Sequence, residues 1–254
     1  MKRKLIKNLK NDNAILISIA LFGIFLLFIS SIIGQFFIQP SVEFMVLQIY
    51  GFSFAYFGML GYFLLNDKGN YSRGWKFLKE SKYFIIFAVF LFIILIVAGY
   101  FIEIGFITEI IQNTIRDLID KTSNLNFIEM LWFIFYNNSS VAFMSIMLGT
   151  LFSIFPLITT IFNGYVIGFV LKKSIEAEGP LIAFRLLPHG IFELPAIIIS
   201  IALGIRIGMF VFSKYPGKTF KYYFINSIRI LVFIIIPLLV IAAIIETGLI
   251  FFLK

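Results

Sequence analysis

The chain has 254 residues, of which 61% are hydrophobic and only 13% charged, with a mean hydropathy of +1.02. A soluble domain carries roughly 25% charge, so this composition excludes an ordinary soluble fold and points to an integral membrane protein with several spans. The net charge of +8 does not indicate nucleic-acid binding. Its cations gather in short segments between apolar runs, which is the positive-inside pattern of polytopic proteins.

The first of these segments, Lys2, Arg3, Lys4, Lys7 and Lys10, precedes an apolar run over 14–38. The run is too long for a signal-peptide core and lacks a small-residue cleavage site, so it reads as a retained span. Pro40 ends it, and 43–65 return as a second span with Gly51, Gly58 and Gly61 offering a thin side for helix contact. The loop 66–82 carries Lys68, Arg73, Lys76, Lys79 and Lys82 against Asp67 and Glu80. The positive-inside rule makes this loop, and the N-terminus with it, cytoplasmic. Residues 1–82 thus form an N-terminal hairpin with a basic loop, and 83–254 a second membrane domain beginning with a span at 83–102.

Residues 103–137 change character, with Glu103, Glu109, Asp117, Asp120 and Glu129 outnumbering Arg116 and Lys121. Ile107, Ile110, Ile111, Ile115, Leu118 and Ile119 recur at helical spacing opposite Gln112, Asn113, Arg116, Asp117 and Asp120. This is an amphipathic helix packed on the outer rim of the bundle, with partner binding as the alternative. Asn126 and Glu129 have capping-box spacing, and Trp132 and Tyr136 suit a membrane interface.

The apolar stretch 139–171 poses a length problem. At about 1.5 Å per residue it is too long for one upright span and too short for two. Pro156 sits at its middle, so a broken or kinked segment is expected. The loops 172–187 and 213–222 are both cationic, which one ordinary span between them cannot place on one side. Either 139–171 crosses as two short halves or 181–212 is re-entrant. The fold class is therefore an all-α polytopic bundle with broken or re-entrant helices. The last run, 224–252, contains Pro237 and Glu246.

The unusual residues concentrate at 187–196. This stretch holds His189, the only histidine, and Glu193 four residues later, bracketed by Pro188, Gly190 and Pro195. At i, i+4 the two share a helix face. Ionisable groups inside a span are costly and are functional candidates by default. The simplest reading has them satisfying backbone groups freed by the prolines; a proton or ion pathway, or a contact with a partner or lipid, is the alternative. Arg206 lies on another face, near the headgroups and Lys214. One histidine and no cysteine fall short of a catalytic zinc set, and no serine or paired-aspartate protease pattern occurs. No cofactor, metal or enzymatic activity is expected. Gly164/Gly168 and Gly204/Gly208 are small-residue steps suited to internal packing or to a homo-oligomer.

Asn137-Asn138, Pro156, Asn163-Gly164-Tyr165 with Gly168, and the string from Leu187 through Pro188, His189, Gly190, Glu193 and Pro195 to Ala196 follow in an order that resembles the stage II sporulation protein M family. Gly204-x-Arg206-x-Gly208, Pro237, Ala242-Ala243 and Glu246 fit it too. The resemblance covers about 95–254 and leaves out the hairpin at 14–65. It implies a membrane scaffold: in spore-formers the family member positions two peptidoglycan-degrading partners during engulfment. The functional expectation is a non-enzymatic scaffold for membrane or cell-surface proteins in the cell membrane. A transporter or channel subunit with an ion or proton site near His189 and Glu193 is the alternative. The functional core is expected among His189, Glu193, Asn163, Gly164, Gly168, Pro188, Gly190, Pro195, Arg206 and Glu246, in contact with membrane lipids and without nucleic acid.

Overall fold

The computed structural model describes residues 12–27, 42–66, 69–212 and 218–252. The N-terminal cation cluster, Pro40, Lys68 and Lys214 lie outside the described residues. The chain divides between Ser72 and Arg73 into two compact units. Six described helices are long and apolar enough to cross a membrane, and Asp12–Leu27 is a shorter apolar one.

In the first unit, α1 (Asp12–Leu27) and α2 (Val42–Asn66) run antiparallel. The thin side of α2 faces α1: a Cβ added at Gly58 would meet Ala20 N at 2.7 Å, and Gly51 and Gly61 face Leu27 and Leu16. At the open end Asn13 and Asn66 exchange side-chain amide hydrogen bonds of 2.8 and 2.6 Å.

In the second unit, α3 (Asn70–Glu80), most of which belongs here, leads into α4 (Lys82–Phe101). α5 (Gly105–Thr122) follows, with Ile111 buried against Tyr165 and Phe169. This is the expected amphipathic rim helix. The capping box forms as the spacing predicts. Asn126 Oδ1 accepts from the Ile128 and Glu129 amides at 3.0 Å, and Glu129 Oε2 accepts from Asn126 N at 2.9 Å.

That cap starts α6 (Phe127–Met147), and here the sequence reading needs correction. Residues 127–138, read from the sequence with the acidic stretch 103–137 and apart from the apolar stretch 139–171, belong to the crossing helix. With α7 (Ile154–Glu178) this gives two full crossings joined by a tight turn, so 139–171 is neither one kinked helix nor two half-spans. The turn places Phe152 and Ser153 at φ 51° and 63°. Ser153 Oγ donates to Ile205 O at 2.9 Å, which ties the turn to α8. Pro156 sits in the first turn of α7, where its missing N–H costs nothing.

α8 (Ala183–Gly208) passes through Pro188 and Pro195 as one helix, which overturns the re-entrant alternative for 181–212. A proline inside a helix removes one hydrogen bond, a tolerable loss in a membrane helix. Pro195 also lies on an exposed face. α8 is the central element, contacting α4, α6, α7 and α10, and residues 201–208 are all buried. α9 (Phe220–Ile230) and α10 (Ile236–Phe252) form the last crossing. A wide π turn at Leu231–Ile235 separates them, immediately before Pro237, where the helical ladder must already give way.

The charge parity closes once α6 and α7 are separate crossings. Lys172 and Lys173 pair with Glu103 at 2.7 and 3.1 Å, so the cationic end of α7 belongs with the acidic segment. Lys218 pairs with Glu80 at 2.6 Å, so the residues after α8 belong with the loop 66–82. The two cationic loops lie at opposite ends of α8, not on one side. We call these ends acidic and basic.

Both small-residue steps are occupied within the chain. A Cβ on Gly168 would lie 2.0 Å from Ile96 O, and one on Gly164 2.8 Å from Leu95 Cβ; Gly99 of α4 answers with 2.1 Å to Tyr165 O. Gly204 and Gly208 face Ser145 O at 2.1 Å and Gly149 O at 2.3 Å. Of the two uses open to these faces, the fold takes internal packing, and a second copy would need another surface. Gly168→Ala and Gly204→Ala are therefore each expected to lower stability in detergent by about 1–3 kcal/mol through overpacking. Gly248→Ala, with none of the described residues within 4 Å of the new methyl, should hold or slightly raise the melting temperature.

Candidate functional site

Two features of α8 hold the unusual chemistry. Arg206 lies near the basic end. Glu193 is thirteen residues earlier, about 20 Å along the helix axis.

Arg206 is 6% exposed. A buried guanidinium needs its donors satisfied and its charge balanced, and the segment Phe77–Ser81 supplies both. Nη1 donates to Phe77 O at 3.1 Å and to Ser81 Oγ; Ser81 Oγ itself donates to Phe77 O at 2.8 Å. Nη2 lies 3.6 Å from Glu80 Oε2. The guanidinium carbon sits 4.3 Å from the centroid of Phe77 and 5.1 Å from that of Tyr223, within the range of cation–π attraction. Phe77 O is one of the last carbonyls of α3, so Arg206 also caps that helix.

Glu80 accepts from Lys218 Nζ at 2.6 Å and from Tyr222 OH at 3.1 Å. Partial burial pushes its carboxyl up, but the hydrogen bonds from Lys218 and Tyr222, with the charges of Lys218 and Arg206, outweigh this and hold it below its ordinary value. The hydrogen bond to Glu80 raises Lys218 in turn. The sequence reading placed Arg206 near the headgroups beside Lys214. The structure instead buries it against a segment about 125 residues earlier in the chain, a partner that sequence spacing could not reveal. At the acidic end, the hydrogen bonds from Lys172 and Lys173 lower the exposed Glu103.

Glu193 and Glu246 are half-buried on α8 and α10, two helices that pack against each other. Among the described residues neither forms a hydrogen bond or ion pair. The side chain of His189 lies outside the described residues. Asn163 does not join this pair: its Nδ2 donates back to Thr159 O at 2.8 Å. Pro188 and Gly190 lie within α8, and among the described residues only Leu194 lies within 4 Å of a Cβ added at Gly190. No group of three or more His, Cys, Asp or Glu residues lies together among the described residues.

Sequence reasoning missed Tyr165. Its hydroxyl donates to Ile102 O at 2.6 Å and accepts from Ile104 N at 3.2 Å, closing the end of α4 where it turns into α5. The close contact of Gly164 and Gly168 with α4 is what brings the ring within reach, so Asn163-Gly164-Tyr165-x-x-Gly168 works as a packing and capping unit.

Six of the described helices are able to cross a membrane, and those of the second unit pack around one helix with a buried arginine; this all-α arrangement defines a polytopic membrane protein. The chain belongs to the stage II sporulation protein M family, whose model matches residues 83–249. It is similar to two uncharacterised proteins of Methanocaldococcus jannaschii. One is 31% identical over 172 residues, 65% of this chain and 77% of the relative. The other is 33% identical over 112 residues, 41% of this chain and 62% of the relative. No solved structure matches the chain.

The Glu80 cluster carries a pH dependence with a definite sign. A carboxyl lowered by folding adds stability that is complete above its ordinary value and is lost as pH falls through the lowered one. Melting of the purified protein should therefore weaken as pH drops below about 4.5. Glu80→Gln should flatten that dependence and cost about 1–2 kcal/mol at pH 7. An unchanged pH profile in the variant would remove Glu80 from this role.

Proposed function

We propose that the protein is a non-enzymatic scaffold that organises membrane or cell-surface partners, with its basic end in the cytoplasm and its acidic end outside. The observation that supports this reading best is α5. Ile111 anchors it on Tyr165 and Phe169, while Glu109, Asn113, Arg116, Asp117 and Asp120 stay exposed. A polar helix face held on a packed bundle suits protein docking, because little ordering entropy remains to be lost on binding. The family resemblance points the same way. A specific observation favours a second reading, transport of a proton or cation: the carboxyl pair Glu193 and Glu246 on two packed spans.

The two readings separate experimentally. A scaffold keeps its partners when Glu193→Gln is introduced. It loses them, without a change in melting temperature, when Asp117→Lys and Asp120→Lys reverse the α5 face. The readout is chemical cross-linking in native membranes. Cation or proton flux in proteoliposomes that Glu193→Gln abolishes would replace the scaffold reading with the transport one.

The orientation follows from the positive-inside rule. The chain has no cysteine, so single cysteines report cleanly. A membrane-impermeant maleimide should label Asn113→Cys in intact cells and Lys79→Cys only after permeabilisation. The opposite pattern would invert the assignment.

A further inference from the structure

We propose that the outward face of α3, together with Lys82 and Tyr83, is a binding surface for anionic phospholipid headgroups. The inner face of α3 is fully committed. Gly74 lies 3.8–3.9 Å from the side chains of Arg229 and Ile230. Phe77 is 1% exposed and lies against Arg206, Tyr222 and Tyr223, and Ser81 is buried on Arg206. Gly74, Phe77 and Ser81 follow an i, i+3, i+7 row, so the rotation of α3 is fixed and its opposite side is turned outward.

That side carries Trp75 at 56% exposure, then Lys76 and Lys79, with Lys82 and Tyr83 continuing beyond the helix end; Tyr83 is 72% exposed. Lys76, Lys79 and Lys82 are spaced i, i+3, i+6, so like charges stack along one row and repel. Glu80, on the same helix, is held by Lys218, Tyr222 and Arg206, and among the described residues no carboxylate pairs with the three lysines. The row is therefore open to anions from outside the chain.

The aromatic residues say which kind. Lys79 Nζ lies 5.8 Å from the Trp75 ring and Lys82 Nζ 4.9 Å from the Tyr83 ring. Paired ammonium groups and amphipathic rings suit headgroup depth. The surface also continues into Ile86 and Phe90 of α4, both 62% exposed, on one of the most apolar crossing helices. A ligand with a negative head and an apolar body matches both parts; a soluble acidic peptide or a nucleic acid matches only the first.

The test uses Trp132→Phe, which leaves Trp75 as the sole tryptophan of the two in the chain. The protein is reconstituted in phosphatidylcholine vesicles containing the same fraction of brominated phosphatidylglycerol or brominated phosphatidylcholine. Brominated phosphatidylglycerol should quench Trp75 more strongly. The preference should fall about fivefold for each of Lys76→Gln and Lys79→Gln at low salt, and should shrink as salt is raised in the unsubstituted row. Equal quenching by both lipids, or quenching by neither, overturns the proposal. So does a preference unmoved by the substitutions and by salt, or an equal preference reported by Trp132 in a Trp75→Phe protein. Displacement by millimolar inorganic phosphate at matched ionic strength would assign the surface to a free anion instead and overturn it as well.

Discussion

The family-matched unit depends on helices approaching to backbone contact. In lipid, the hydrophobic effect does not drive one apolar helix against another, so association relies on close packing and on polar contacts. Glycine makes the close packing possible here. α4 and α7 meet at Gly99, Gly164 and Gly168, and α8 meets the α6–α7 turn at Gly149, Gly204 and Gly208. Polar contacts then form at these same places. Tyr165 reaches the end of α4 because Gly164 and Gly168 have brought the helices together, and Ser153 reaches Ile205 O where Gly208 lets the turn approach. Geometry comes first and the hydrogen bonds follow from it.

Electrostatics sort the two ends of the bundle. Each end holds one carboxylate shared by more than one cation: Glu80 with Lys218 and Arg206 at one, Glu103 with Lys172 and Lys173 at the other. In neither case do the partners neighbour one another in sequence. A count of positive charge per loop treats every cation as free, whereas Lys172 and Lys173 are matched by Glu103.

Much of this organisation was legible in the sequence. The composition identified the membrane class, the glycines of α2 marked its contact face, and the isoleucine spacing with Asn126 and Glu129 defined α5 and the start of α6. The errors have two causes. Reading the acidic stretch to residue 137 left 139–171 with a length that fits neither one span nor two. The re-entrant reading of 181–212 came from counting loops 172–187 and 213–222 as cations of one side, whereas Glu103 holds Lys172 and Lys173 at the other end. The prolines of α8 lent it support because a proline in sequence shows the hydrogen bond it removes but not the neighbours against which the helix continues. The burial of Arg206 was out of reach for a different reason: its partners, Phe77 to Ser81, are distant in sequence and carry no pattern naming it.

The glycine contacts and the prolines divide α8 unequally. From Ile201 to Gly208 the helix is enclosed on all sides, pinned by Ser145, Gly149 and Ser153 and by the grip of Phe77–Ser81 on Arg206. Rotation there would drive side chains into neighbouring backbone. Above this anchored segment, Pro195 breaks the ladder of hydrogen bonds once and Pro188 breaks it again. The foot of α8 is thus fixed, and the two backbone carbonyls that the prolines leave without a helical donor, those of Phe184 and Ile191, lie in the half that carries Glu193.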